Sequence, residues 1–343
     1  MQFDVLAKAD SWENIIRLAR GLELTGFSGM LFTETGQVPW MMIAAAAQAA
    51  PSLHYSTGIA VAFPRSPMIS AQIAWEFAAN TKGRFRLGLG SQVKPHIVRR
   101  FGAAFDQPAK RMRDYVLAVK ACIRAFRGEG RLDHDGPFYK LNLLTQQWSP
   151  PRHDYEDIKI DMSAVNPLML KVAGEVADGL HVHPVHSMHY IEKRVLPAVR
   201  EAAESAKRTF TDIDLIVPVL AVAGDTSEER RTLVREAKTT IGFYGATPNY
   251  AFQFDDLGHQ GLREKLSTAL REGGPDALAP LIDDEVLDQF GLVARWDEMA
   301  DRLIERYKGK ASRIVMYLAT TSILENPSSL AKWGEIARAV RAA

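Results

Sequence analysis

No property of this sequence narrows its fold as sharply as the alternation of short apolar runs with long amphipathic ones. "QFDVLA" (2–7), "GMLFTE" (29–34), "HYSTGIAVAFP" (54–64) and "RFRLGLG" (84–90) read as strands one to four. "IKIDMSAV" (158–165), "GLHVHP" (179–184), "DLIVPVLAVAG" (214–224) and "SRIVMYLA" (312–319) read as strands five to eight. Most are separated by enough chain for a crossover helix, which returns the next strand parallel to the last. Helix punctuation fits. Ser11 stands where an N-cap belongs before "WENIIRLARGLELT", and Gly26 ends that pattern. Pro39 opens "WMMIAAAAQAA", and Asp225 or Thr226 caps "SEERRTLVREAKTTIGFYG". Eight such units predict a (β/α)8 TIM barrel, since an open doubly wound sheet seldom needs eight units and two insertions. The chain reads as a single domain over 1–343, with excursions at about 131–157 and 245–294. The first carries Gly136-Pro137 and Pro150-Pro151 and predicts a hairpin-bearing loop.

In such barrels chemistry sits at the carboxyl ends of the strands. Those ends offer Thr33, Glu34 and Thr35; Gly58, Ile59 and Ala60; Gly90, Ser91, Gln92 and His96. They also offer Val165 and Asn166, then His181 and His183. Many are small, and few are ionisable. Such a rim suits redox chemistry on a bound cofactor better than hydrolysis by a carboxylate pair. Glu34 and His183 are the candidate catalytic groups, His183 because imidazole titrates near neutral pH. A metal reading of His181, His183, His186 and His189 lacks a companion cysteine or a His/Glu cluster at ligand spacing.

The 42 basic and 41 acidic residues nearly cancel, which argues against a nucleic-acid or membrane-surface partner. No apolar run approaches the ~20 residues of a bilayer span, and charges interrupt the N-terminus where a signal peptide would need an apolar stretch. The single cysteine, Cys122, cannot form an internal disulfide, so a reduced, cytoplasmic setting is expected.

"GRFRLGLGSQ", "RRFGAAFDQPAKRMRDYV", "STGIAVAFPRSPMISAQIA" and "LKVAGEVADGLHVHP" resemble, in order, signatures of the bacterial luciferase-like monooxygenase superfamily. More narrowly they resemble its coenzyme F420-dependent oxidoreductases. The similarity runs over about 2–223 and resumes near 280–318. It implies a flavin or 5-deazaflavin ring in the mouth of the barrel. It implies a non-prolyl cis peptide at Gly58–Ile59, with Ile59 behind the ring and Ala60 beside it. The cofactor phosphate would rest near Val165 and Asn166, where a helix presents free N–H groups. Gly90 and Ser91 would let backbone approach the ring, with Gln92 and His96 along its tail and Thr33 or Glu34 at its pyrimidine edge.

Two departures matter. Sugar-phosphate dehydrogenases of this family carry an acid just past the strand-four glycines and a histidine after strand two, where this chain has Val93 and Thr35. The resemblance therefore implies hydride transfer with F420 on another organic molecule, and "FYGATPNYAFQF" suggests an apolar one. It leaves open an FMNH2-dependent two-component monooxygenase served by a separate reductase, and a catalytically inactive flavin-binding protein. Relatives also imply a homodimer, with "PWMMIAAAAQAA" in the contact.

Overall fold

The computed structural model describes residues 1–343. Strand β1 (Gln2–Leu6) leads into α1 (Trp12–Thr25), and β2 (Gly29–Phe32) into α2 (Pro39–Ala49). β3 (His54–Thr57) and β4 (Ala60–Val61) are two halves of one barrel strand, followed by α3 (Pro67–Asn80). β5 (Phe85–Gly90) precedes a π-helical turn at His96–Arg100 and then α4 (Pro108–Phe126). A hairpin of β6 (His134–Asp135) and β7 (Lys140–Leu141) comes before β8 (Lys159–Ser163), α5 (Pro167–Val176) and β9 (Gly179–His181). Next come α6 (Met188–Tyr190), α7 (Leu196–Ser205), β10 (Asp214–Val219), β11 (Ala221–Ala223) and α8 (Ser227–Gly245). The second excursion holds α9 (Phe252–Asp256), α10 (Leu262–Gly273), α11 (Asp284–Phe290) and β12 (Leu292–Ala294). The chain closes with α12 (Trp296–Tyr307), β13 (Arg313–Met316), α13 (Ala319–Glu325) and α14 (Ser329–Ala342).

The sheet order is β3-β2-β1-β13-β10-β9-β8-β5-β4, and β3 also pairs with β5. That last pairing closes the ring. With β3 and β4 taken as one strand, eight parallel strands form the expected barrel. Local signals act as the sequence implies. The Ser11 hydroxyl accepts the Asn14 N–H at 3.2 Å, and Gly26 turns left-handed at φ 99° to end α1. Thr226, rather than Asp225, caps α8 by accepting the Glu229 N–H at 3.1 Å. The hairpin of the first excursion folds around the buried Asp114 carboxylate, which accepts the Phe138 and Tyr139 N–H groups. Cys122 is buried on α4. No helix is long and apolar enough to cross a membrane.

The Gly58–Ile59 peptide is cis, as the resemblance implies, and strand three is split there into β3 and β4. Two differences from the sequence reading have physical reasons. Strand seven leaves the barrel after Val219. Leu220 and Val222 turn into a second apolar cluster beneath the excursion, and β11 pairs with β12 instead. Residues 188–205 form a continuous helical run that the sequence pattern leaves unassigned; Pro197 interrupts the pattern and lies just past a π-helical turn at Ile191–Val195, the kind of local adjustment that accommodates a proline within a helix.

Alternation along the strands fills the barrel in tiers. At the amino end Arg86 holds Asp161 through two hydrogen bonds of 2.8 and 2.7 Å and reaches Asp214 at 2.7 Å, while Arg313 pairs with Asp4. Burial pushes the Asp161 carboxyl upward. The Arg86 charge and hydrogen bonds to the carboxylate outweigh that, and the group stays well below the usual carboxylate range. Above lies an apolar layer of Leu6, Leu31, Ile216 and Val315, each at most 2% exposed. It stoppers the barrel.

Candidate functional site

Over that stopper opens a cleft of about 500 Å³ at the carboxyl ends of the strands. Two other depressions lie elsewhere, one around Met1 and Lys308 at the amino end and one around Trp12 and Met41 on the outer surface. Of the residues singled out from sequence, Thr33, Glu34, Gly58 and Ile59 line one side of the cleft. Ser91, Gln92 and His96 line it beside β5, and Val165, Asn166 and His183 line it farther round. Gly90 and Ala60 do not. Both are buried in the wall.

The bulge after β3 is held by a clamp that the sequence does not announce. The Glu34 N–H donates to the Ile59 carbonyl at 3.2 Å, and Glu34 Oε2 accepts the Val61 N–H at 2.8 Å. Arg65 donates to both Glu34 oxygens and, at 2.7 Å, to the Val61 carbonyl. The guanidinium also lies over Trp40, with 5.6 Å to the ring centroid. Glu34 therefore grips the chain just after the cis bond, at Ile59 and Val61, and both its oxygens are engaged. The geometry gives it a positioning task.

The strand-four glycines serve a purpose other than backbone approach to a ligand. A Cβ on Gly90 would lie 2.6 Å from Ile59 Cγ1 and Cδ1 and 2.8 Å from Ser163 Oγ. One on Gly88 would lie 1.9 Å from the Thr57 carbonyl oxygen and 2.6 Å from His181 Nε2. Gly90 leaves the space that Ile59 occupies, and Gly88 the space that His181 occupies. Past the strand, Gln92 adopts φ 57°, a left-handed conformation that costs a non-glycine residue roughly 1–2 kcal/mol. Its side-chain oxygen accepts the Val93 N–H at 2.9 Å and steadies the turn. Such local strain concentrates where a ligand is bound.

Asn166 occupies the N-cap position of α5 in extended conformation and makes no side-chain cap bond. Pro167 lacks an N–H, so the open end of this helix faces the cleft with an unspent amide side chain and the positive end of its dipole. Lys94, Arg99 and Arg100, just after Gln92 in sequence, are exposed. Arg100 donates to the carbonyl of Thr35, which lines the cleft, as does Val93. The two departures noted in the sequence thus fall on site positions.

The four histidines disperse. His181 is 4% exposed; its Nε2 has no hydrogen-bond partner and stands 3.7 Å from Asp161 Oδ2, too far for a hydrogen bond. His183 Nδ1 lies 3.1 Å from the Val185 nitrogen and 3.3 Å from its carbonyl oxygen, so the backbone engages this nitrogen in either tautomer. Burial pushes the His183 pKa down, and the ring keeps a partly exposed edge. It lines the cleft as a neutral ring. His186 bonds the His183 carbonyl at 2.8 Å, and His189 is exposed.

Sequence reasoning misses Arg65, Tyr244, Tyr250 and Tyr317. The three tyrosines line the cleft, and the His183 ring lies 4.3 Å from Tyr244 and 4.2 Å from Tyr250 between centroids. "FYGATPNYAFQF" flags two of them by composition, while Tyr317 reads only as a strand residue.

A closed parallel barrel with a bulged third strand and a cleft at its carboxyl end is the arrangement that the sequence resemblance implies. The family profile described as Luciferase-like monooxygenase matches residues 2–313. An uncharacterized protein of Mycobacterium bovis is 33% identical over 297 residues, covering 87% of each chain. The 5,10-methylenetetrahydromethanopterin reductase of Archaeoglobus fulgidus is 24% identical over 265 residues, covering 75% of this chain and 74% of the relative. The structure of coenzyme F420-dependent tetrahydromethanopterin reductase from Methanopyrus kandleri superposes with a TM-score of 0.81, at 19% identity and 97% coverage of both chains. The chain belongs to the luciferase-like monooxygenase family. Its relatives place it on the F420-associated branch, among oxidoreductases that act on small organic molecules with a deazaflavin or flavin.

Proposed function

We propose that this protein is a coenzyme F420-dependent oxidoreductase acting on an apolar small organic molecule. The observation that carries the reading is the clamped bulge after β3, where Glu34 and Arg65 hold the chain at Ile59 and Val61 and Ile59 lines the cleft. The residues present fit the cofactor. Ile59 offers a flat apolar support for a tricyclic ring, and Gly90 is the vacancy that keeps it seated. Ser91 and Gln92 border the cleft with polar groups, and the uncapped start of α5 at Asn166 suits a phosphate. Lys94, Arg99 and Arg100 give the exposed side a positive character suited to an anionic tail.

When bound, the deazaflavin would supply the hydride donor or acceptor. The chain's own residues bind, orient and exclude water. Glu34 and Arg65 position Ile59, the apolar stopper denies water access from below, and His183 presents a neutral ring to the cleft. Catalysis by this chain then rests on placement more than on acid–base strength. A homodimer through the exposed Trp12, Val38 and Met41 beside α2 completes the proposal.

Titrating the purified protein separately with coenzyme F420 and with FMN, followed by ligand fluorescence, tests this. Micromolar F420 binding with weaker FMN binding is expected. The reverse order assigns the chain to FMNH2-dependent oxygenation, and binding of neither removes the redox reading altogether.

A further inference from the structure

We infer that Tyr244, Tyr250 and Tyr317 form a substrate subsite for an uncharged, planar organic molecule that presents an oxygen acceptor, such as an aromatic or conjugated ketone or the matching alcohol. This rests on the oxidoreductase reading above and specifies its substrate class.

The three residues come from separate places: the last turn of α8, the start of the second excursion and the end of β13. They converge on one part of the cleft. Strands β10 and β13 stand across the ring from the β3–β4–β5 seam, so this group faces the cofactor-side bulge from the opposite wall. The rings of Tyr244 and Tyr250 meet edge to face at 5.2 Å, and both pack on His183. Such a cluster presents aromatic surface to a flat ligand at small conformational cost.

Their hydroxyls are the unusual part. Buried tyrosines elsewhere in this protein use theirs: Tyr55 donates to the Ala50 carbonyl at 2.6 Å and Tyr190 to the Val165 carbonyl at 2.7 Å. Tyr244, Tyr250 and Tyr317 make no side-chain hydrogen bond within the protein. The three residues are half-buried and none of these hydroxyls is sealed from solvent, so a ligand in the cleft can reach them in place of water. Three at one wall is a donor array waiting for an acceptor. Burial raises all three pKa values, Tyr250 to about 12, so each keeps its proton at neutral pH.

Charge decides the rest. No Lys or Arg side chain lines the cleft, and its one carboxylate, Glu34, is matched by Arg65. The nearest ammonium, Lys8, lies 5.9 Å from the Tyr317 ring centroid and is already paired with Glu236 at 2.8 Å, so an anionic substrate would give up its hydration without a free counter-charge to compensate. A neutral oxygen meets the three donors without that penalty.

The test uses three probes of one shape, 4-methoxyacetophenone, 4-methoxybenzoate and 4-ethylanisole, with binding read by ligand-detected NMR in the presence and absence of F420. The ketone should bind at least about tenfold more tightly than the carboxylate. Tyr244→Phe, Tyr250→Phe and Tyr317→Phe keep the rings, and each should weaken ketone binding roughly 3–10-fold, the range of one lost hydrogen bond. They should leave 4-ethylanisole and F420 affinities within about twofold of the parent, by the standing of the tyrosines outside the cofactor wall. The inference is overturned by a carboxylate that binds as well as the ketone, by no ketone binding, or by phenylalanine variants that bind the ketone like the parent. F420 affinity falling with the hydroxyls also overturns it, assigning the tyrosines to the cofactor. Failure of the cofactor reading shows separately, in the F420 titration of the unaltered protein.

Discussion

Replacing Arg65 with methionine removes the guanidinium that engages both oxygens of Glu34 and leaves a carboxylate only 3% exposed with one remaining donor, the Val61 N–H at 2.8 Å. Deleting one partner of a buried ion pair costs about 3–5 kcal/mol, because the other charge stays desolvated. Unfolding entropy of roughly 2.1 cal/mol/K per residue gives about 0.7 kcal/mol/K for a chain of this length. The expected fall in Tm is therefore ~4–7 °C by scanning calorimetry. Adding Glu34→Gln to Arg65→Met should restore most of it, since a neutral amide still accepts the Val61 N–H and carries no charge, and a coupling of at least ~2 kcal/mol is expected. The positioning role adds a second readout: Arg65→Met should weaken F420 binding about tenfold or more, because this pair holds the chain at Ile59 and Val61. A Tm shift below about 1 °C, a double variant no more stable than the single, or F420 affinity equal to the parent's would refute the clamp.

Two further outcomes are expected. Gly90→Ala places a Cβ 2.6 Å from the Ile59 side chain and should cost ~1–3 kcal/mol together with a loss of F420 affinity, whereas Gly88→Ala meets the Thr57 carbonyl backbone at 1.9 Å and should lower Tm further; equal Tm values for the two would contradict the assignment. Burial pushes the His186 pKa down to about 4, so the folded state binds fewer protons than the unfolded chain below pH ~6.5. Its contribution is complete above that pH and is lost as pH falls toward 4, at no more than ~1.4 kcal/mol per pH unit. His186→Gln should flatten this part of the stability–pH curve in urea unfolding, and an unchanged slope would show that His186 does not carry it.

The barrel was legible because its signals are local and periodic. Ser11, Gly26, Pro39 and the eight apolar runs each act within a few residues. The rim was partly legible for the same reason, since strand ends can be counted. What escaped depends on contacts across sequence. Arg65 reads as a loop arginine until Glu34, 31 residues away, is brought beside it. Gly90 looks like an opening for a ligand until Ile59 is found filling the space. His183 looks titratable until its surroundings are known. Tyr317 is one more apolar strand residue until its hydroxyl is seen to lack a partner within the chain.

The Leu6–Leu31–Ile216–Val315 layer makes the barrel a vessel with one mouth. Whatever lodges deepest must arrive first and depart last, and a second guest passes over it both ways. Turnover in such a container is a matter of queueing as much as chemistry: an upper occupant that lingers traps the lower one, and the enzyme's pace falls to whichever guest holds the door.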